Sequence, residues 1–200
     1  MRQLVLATGN RHKVGELEAL LTDLHLKLLT LEDFPGIPSV IEDRPTLEEN
    51  ALKKARATFN ATKLPSLADD SGLEVHYLNG EPGVFSARYA GPRASYADNC
   101  KKLLKELRGV PPRRRAARFR CVLAFVTSGK QGVVEGVLPG SIIEEPRGAL
   151  GFGYDPIFLP KGHSKTLAEM SPHLKNTLSH RAKAVESMRT VILEYFKNIG

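Results

Sequence analysis

The stretch RFRCVLAFVTSGKQGVVEGVL, Arg118 to Leu138, constrains the fold more than any other part of the chain. It reads as a long apolar strand, a hairpin turn and a return strand. Strands joined by so short a turn run antiparallel. Elsewhere short apolar runs alternate with helix-period segments, the pattern of parallel βα units. The two patterns together predict an α/β fold: a mixed central sheet with helices on both faces, not a purely parallel one.

The βα elements can be placed one by one. Gln3 to Ala7 is a short apolar run of strand type. Val14, Leu17, Leu20, Leu21 and Leu24 recur at helical spacing and form one face of a helix. LKLLTL, Leu26 to Leu31, predicts a second strand. Thr46-x-x-Glu49 is a capping box for a helix carrying Ala51, Leu52, Ala55 and Phe59 inward. PSLAD, Pro65 to Asp69, predicts a strand that ends at the aspartates. The alternation of Leu73, Val75 and Tyr77 then leads to an Asn-Gly turn signal. Ser95 caps a helix through Leu107, stopped by Gly109 and two prolines. GALGFGYDPIFLPKG reads as a loop, because Pro156 argues against a central strand. Thr166-x-x-Glu169 caps a short helix, and Ser179 opens the last one, with Ala182, Val185, Met188, Ile192 and Phe196 facing in. No internal repeat is present. The expectation is one domain over residues 1–200.

Composition narrows the class. With 42% apolar and 26% charged residues the chain reads as an ordinary soluble protein. No run approaches the roughly 18 apolar residues of a membrane span, and MRQLVLATGN turns polar too soon for a secretion signal. Cys100 and Cys121 have neither metal-binding nor disulfide-framework spacing, so reduced core thiols and a cytoplasmic location are expected. The net charge of +7 points to an anionic partner: a nucleotide, a phosphate ester or nucleic acid. Few aromatic residues and no tryptophan argue against a stacking nucleic-acid surface, and the basic run PPRRRAARFR reads as a solvated loop entering a strand.

Two helices start with the wrong charge. Arg11, His12 and Lys13 open the first, and His180 and Arg181, with Lys183 following, open the last. A helix N-terminus already carries partial positive charge and favours anions. Thr8, Gly9 and Asn10 precede the first of these starts and offer a hydroxyl, a close backbone approach and an amide, which suits phosphate. The loop lacks the spacing of a P-loop. The adjacent pair Asp69-Asp70 stands where a strand is expected to leave the sheet, the usual ligand end of an open α/β sheet. Carboxylates and phosphates repel each other, and Mg²⁺ reconciles them by taking oxygens from both. Neighbouring side chains on a strand point to opposite faces, so one aspartate is expected at the chemistry and the other in structural hydrogen bonds.

Seven segments, LATGNRHKVGEL, TLEENALKKA, ADDSGLEV, GEPGVFSARYAG, GFGYDPIF, KTLAEM and SHRAKA, resemble in order and spacing the inosine/xanthosine triphosphate pyrophosphatase family, the house-cleaning nucleotide hydrolases. The resemblance covers nearly the whole chain. It departs at IEDRPTLEENA, where the family pattern has glycine at Arg44 and phenylalanine at Leu47; the family's glutamate falls on Glu42, beside Asp43.

The resemblance implies a homodimer of elongated subunits, each with two lobes around a deep active-site cleft. It implies Mg²⁺-dependent hydrolysis of ITP, dITP and XTP to the monophosphate and pyrophosphate; from composition, neither a stable nucleic-acid partner nor a membrane is expected. By position, Thr8, Gly9, Asn10, Arg11, His12 and Lys13 would cradle the phosphates, with Lys54 helping to neutralise them and Arg88 as a further phosphate ligand. Asp70 would be the catalytic carboxylate with Ser71 beside the substrate, and Glu42 and Asp70 would hold Mg²⁺. Phe152, Gly153, Tyr154, Asp155, Lys175, His180 and Arg181 would form the base pocket. Attack at the α-phosphorus is preferred, with the β-phosphorus as the alternative.

Overall fold

A computed structural model describes residues 2–198. In chain order it comprises β1 (Gln3–Leu6), α1 (Arg11–Leu21), β2 (Lys27–Thr30), α2 (Leu47–Thr62), β3 (Ser66–Val75), α3 (Tyr96–Glu106), β4 (Ala116–Val126), β5 (Gln131–Ile142), β6 (Phe158–Pro160), α4 (Pro172–Leu178) and α5 (His180–Asn198), with several short 3-10 turns. The strands form one six-stranded sheet in the order β2-β1-β3-β4-β5-β6. β1 runs parallel to β2 and to β3, and β6 is antiparallel to β5, so the sheet is mixed as expected. Among the described residues no helix is long and apolar enough to cross a membrane.

Two compact units share this chain. The first takes residues up to Asp70, Cys121–Gly136 and Arg181 onward. Its core is Leu4 and Leu6 of β1, Leu17 and Leu21 of α1, Leu67 of β3, Leu123 and Phe125 of β4, and Val185, Met188, Ile192 and Phe196 of α5. The second takes Ser71–Arg120 and Val137–His180. Its core is Leu73 and Val75 of β3, Leu103 of α3, Phe119 of β4, Ile142 of β5, and Tyr154, Ile157 and Phe158.

Local signals placed most helix starts. Thr46 caps α2 by accepting from the Glu49 N–H, and Ser95 with Asp98 forms a full capping box on α3. Asn79 and Gly80 both take positive φ, as an Asn-Gly turn demands. Three features differ from the sequence reading. First, β3 does not stop at Asp69-Asp70: it is one ten-residue strand running through both and on to Val75, crossing from the first unit into the second. The aspartates stay inside the strand because each finds cations on its own face. Second, the loop after Gly151 yields a short strand, β6, paired with β5 from Ile142↔Phe158 to Gly140↔Pro160. Pro160 closes it on a sheet edge, where a missing N–H costs nothing. Third, α4 precedes α5; Ser171 caps it and Pro172 occupies its first turn.

Gly72 explains the glycine of the Asp-Asp-Ser-Gly run. A Cβ there would lie 2.5 Å from the Gly83 carbonyl oxygen, so β3 and the 3-10 turn Gly83–Arg88 approach too closely for any side chain. Ser86 of that turn accepts the Leu73 N–H at 2.9 Å and donates to the Gly83 oxygen at 2.6 Å. Gly72→Ala is expected to destabilise the protein by about 1–3 kcal/mol, the cost of overpacking. Urea unfolding of the variant measures it; an unchanged midpoint would mean the turn yields without cost.

Candidate active site

In the first unit the chain positions its cations around the two aspartates. Asn10 caps α1, its Oδ1 accepting from the N–H groups of His12 (3.0 Å) and Lys13 (3.4 Å), while the Asn10 N–H donates to the buried Thr8 Oγ1. The first turn of α1 holds no acidic residue. Gly9 is exposed and a Cβ there would meet no protein atom within 4 Å, so packing does not require the glycine. Arg11 points away to an exposed pair with Glu32 at 3.0 Å, and His12 is exposed. Lys13 instead turns inward and pairs with Asp69 Oδ1.

Lys54 lies on the inner face of α2 with Asn50, Ala51 and Thr58. Its ammonium is buried, contacting Glu42 Oε1, the Asp69 carbonyl oxygen at 2.6 Å and Asp70 Oδ1 at 3.1 Å. The segment holding Glu42 is fixed by Asn50, whose amide exchanges two hydrogen bonds with the Arg44 backbone. Glu42 thereby faces Lys54, whereas its neighbour Asp43 is exposed and pairs with Lys53 at 2.7 Å.

These contacts drive the charge states of the two aspartates apart. Burial pushes the Asp70 carboxyl up to about 6; Lys54 and Lys13 pull it down, and Glu42 adds to the rise. Burial also opposes charge on Glu42, but Lys54 outweighs it and holds that carboxyl below its ordinary value. Asp69 is fully buried, which by itself would raise it. The cations Arg181, Lys13 and Lys54 more than offset burial and hold it well below the carboxylate range. The first unit thus sets two neighbouring carboxyl groups side by side, one held ionised and one raised toward neutral pH.

Asp69 has further partners at distant chain positions. Its Oδ2 accepts from Arg181 Nε at 2.9 Å and from the Cys121 thiol at 3.1 Å. Arg181, at the start of α5, is also fully buried and gives a second donor to Glu16 of α1. The sequence reading assigned no role to Glu16. Its signal was available: it follows Lys13 by three residues, hence on one helix face.

In the second unit the Phe152–Asp155 loop is built around one carboxylate. Asp155 Oδ2 accepts the Phe152 N–H at 2.9 Å and the buried Lys175 ammonium at 2.5 Å. Lys175 also lies 4.7 Å over the Phe152 ring. Gly151 has φ +75°, and a Cβ there would collide with Asp155 Oδ2 at 2.1 Å, so the turn needs glycine. Gly153, at φ +64°, offers its carbonyl to the Cys100 thiol at 3.3 Å; burial pushes that thiol up to about 11. Tyr154 is a core residue whose hydroxyl donates to the Ser86 carbonyl at 2.9 Å. His180 stacks on Phe119, ring centroids 4.7 Å apart and 10° from parallel. Phe152 also lines a cavity of about 800 Å³ with Tyr96, Leu104, Leu150 and Pro156. Arg88 lies over the Phe85 ring at 5.2 Å, and Ser71 is half-buried in β3.

The structure therefore brings together Lys13, Glu42, Lys54, Asp69 and Asp70 in the first unit, and Phe152, Asp155 and Lys175 in the second. Arg11 and Arg88 stand with other partners. Within the basic run Arg113, Arg114 and Arg118 are exposed, in keeping with a solvated loop entering a strand. Arg115 is buried and donates to the Leu107, Val110 and Ile143 carbonyls, and Arg118 and Arg120 share Glu74. Among the described residues no three His, Cys, Asp or Glu side chains gather as a metal cage.

Comparison with known proteins gives a consistent assignment. The model of the Ham1 family matches residues 4–191. A dITP/XTP pyrophosphatase of Geobacter sulfurreducens is 50% identical over 94% of this chain and 96% of its own length. One of Coxiella burnetii is 43% identical over 98% of this chain and 99% of its own. A solved HAM1 protein structure from Coxiella burnetii superposes with a TM-score of 0.88 at 43% identity, covering 97% of this chain and all of that one. Matched over nearly its whole length by sequence and by structure, the chain belongs to the Ham1 family.

Proposed function

We propose that this protein hydrolyses dITP, ITP and XTP to the monophosphate and pyrophosphate, removing deaminated purine nucleotides before they enter DNA or RNA. The observation that carries the reading is the buried Lys54 ammonium set between Glu42 and Asp70, in the unit that also holds the Asn10-capped start of α1. Relatives named dITP/XTP pyrophosphatase support the substrate class.

The residues divide the work by charge. Thr8 to Lys13 receive the phosphates: the N-terminus of α1 attracts negative charge, and the bare surface at Gly9 lets a phosphate reach the backbone. Lys13 and Lys54 offset the charge that builds on phosphate oxygens during displacement. Arg88 adds a further cation, and Ser71 follows the catalytic strand position. Asp70, a buried carboxyl group beside Lys54, takes a proton from the attacking water.

Glu42 and Asp70 fit Mg²⁺, because the two carboxyl groups already share one cation, Lys54, and offer the oxygen donors that ion takes. When bound there it supplies charge neutralisation and alignment of the phosphates. The base is read by Phe152, Gly153, Tyr154, Asp155, Lys175, His180 and Arg181. We further propose a cytoplasmic homodimer of single-domain chains, with no stable nucleic-acid partner.

Incubation with dITP and Mg²⁺, followed by separation of products, tests the reaction. dIMP and pyrophosphate in equal amounts are expected. Phosphate and dIDP would replace the reading with an ordinary phosphohydrolase.

A further inference from the structure

Three ion pairs link four side chains around Asp69. Lys13 holds Oδ1, Arg181 holds Oδ2, and Glu16 holds the other end of the Arg181 guanidinium. These pairs join two cations to two carboxylates, with Lys54 a further cation near Asp69. Lys13 and Glu16 sit three residues apart on α1, so one helix face supplies a partner to each end of the set. The two cations are not equivalent. The side chain of Arg181 is 1% exposed and that of Lys13 is 14% exposed. Lys13 also belongs to the helix start that the proposed reading gives to the phosphates.

A phosphate that recruits Lys13 competes with Asp69 for it. Taking a counter-ion from a fully buried carboxylate is costly unless another stays in place. Arg181 meets that need, because its Nε lies on Asp69 while Glu16 fixes its far end. The guanidinium does this with two separate nitrogens, Nε on Asp69 and Nη1 on Glu16, in a rigid plane that a single ammonium nitrogen lacks.

We propose that the Glu16–Arg181 pair is the resident counter-ion of Asp69 and so lets Lys13 pass from Asp69 to a phosphate of the substrate. Glu16 and Arg181 are, in this respect, positioning residues for phosphate binding, a role apart from any Arg181 plays toward the base. The inference rests on the reading of Lys13 as a phosphate ligand and deepens it.

Inorganic tripolyphosphate is the probe, since it carries no base; its affinity is read by calorimetry. Lys13→Met tests the underlying reading and should weaken the probe about tenfold or more. The double variant Glu16→Gln/Arg181→Met removes one charge of each sign but leaves Lys13 as the cation on Asp69. It should weaken the probe at least about tenfold. Adding Asp69→Asn to the double variant should recover most of that loss, whereas Asp69→Asn alone should change affinity less than about threefold.

If Lys13→Met matters and the double variant binds like the wild type, the proposal is overturned while the reading stands. If Lys13→Met has no effect, both fall. Should the double variant fail to fold, Arg181→Lys serves instead, since a lysine lacks the separate Nε and Nη1 donors that reach Asp69 and Glu16; a loss of about threefold or more is expected. A purely structural role would lower the melting temperature and leave probe affinity at the wild-type value, which would overturn the proposal.

Discussion

In Asp70→Asn, turnover of dITP falls by about 10²–10⁴-fold or more, the range for loss of a general base, while tripolyphosphate still binds. The amide cannot accept a proton from water, but Lys13 and Lys54 remain. A second effect runs in the opposite direction. The Asp70 carboxyl is raised to about 6 in the fold, chiefly by burial, against 3.8 in the unfolded chain. An acid with a raised pKa holds its proton more tightly when folded. Its contribution to stability is fully present below about pH 4 and is lost as pH rises through about 6. At pH 8 the wild type therefore carries a destabilising charge that asparagine lacks. The variant should be more stable there by about 1–3 kcal/mol, allowing for sharing of the charge with Glu42. The gap should close at pH 4. Thermal melts at the two pH values without added metal measure it. Asp69 has the opposite sign: its depressed carboxyl contributes stability at neutral pH that is lost only in strong acid. A variant that is inactive and less stable at pH 8 would place Asp70 in the fold and not in the chemistry.

Discrimination between dITP and dATP should reach about 10³–10⁴ in kcat/KM, and Lys175→Met should shrink it at least about tenfold. Hypoxanthine and xanthine present an acceptor oxygen at the purine 6-position, where adenine presents a donor amino group. An ammonium has three donors and no acceptor. Lys175 is buried and held by Asp155 beside the Phe152 ring, so its direction is set before any base arrives. Facing an oxygen it is satisfied; facing an amino group, both donors are left without acceptors in a partly desolvated site. Sites built on such bonds reject the wrong partner by about 10⁴. Removing Lys175 also breaks a buried ion pair, so a loss of about 3–5 kcal/mol in stability is expected alongside. Lys175→Arg keeps the charge on Asp155 and separates the two effects. Equal fractional losses for dITP, XTP and dATP in Lys175→Met would take base reading away from this residue.

The sequence alone was enough for whatever depends on residues a few positions apart. Caps at Thr46 and Ser95 and the Thr127 hydroxyl in the β4–β5 turn rest on side chains meeting nearby backbone, and the Asn79-Gly80 turn on two residues that tolerate positive φ. The mixed sheet followed from the hairpin, and the family from the order of short motifs. A glycine such as Gly72 was visible, but its reason, the Gly83 oxygen 2.5 Å away, was not. Tertiary structure decided what the acidic pair means. Whether β3 stops at Asp69-Asp70 or passes through depends on which charges wait on each face, and those charges come from elsewhere in the chain. Lys54 reaches Asp70 across 16 residues, Arg181 reaches Asp69 across 112, and Arg181 reaches Glu16 across 165. No local propensity carries information over such separations; only the packing of α1, α2 and α5 against the strand does. The same packing turns Glu42 toward Asp70 and leaves Asp43 to Lys53 outside, a choice between neighbours that composition and spacing cannot make.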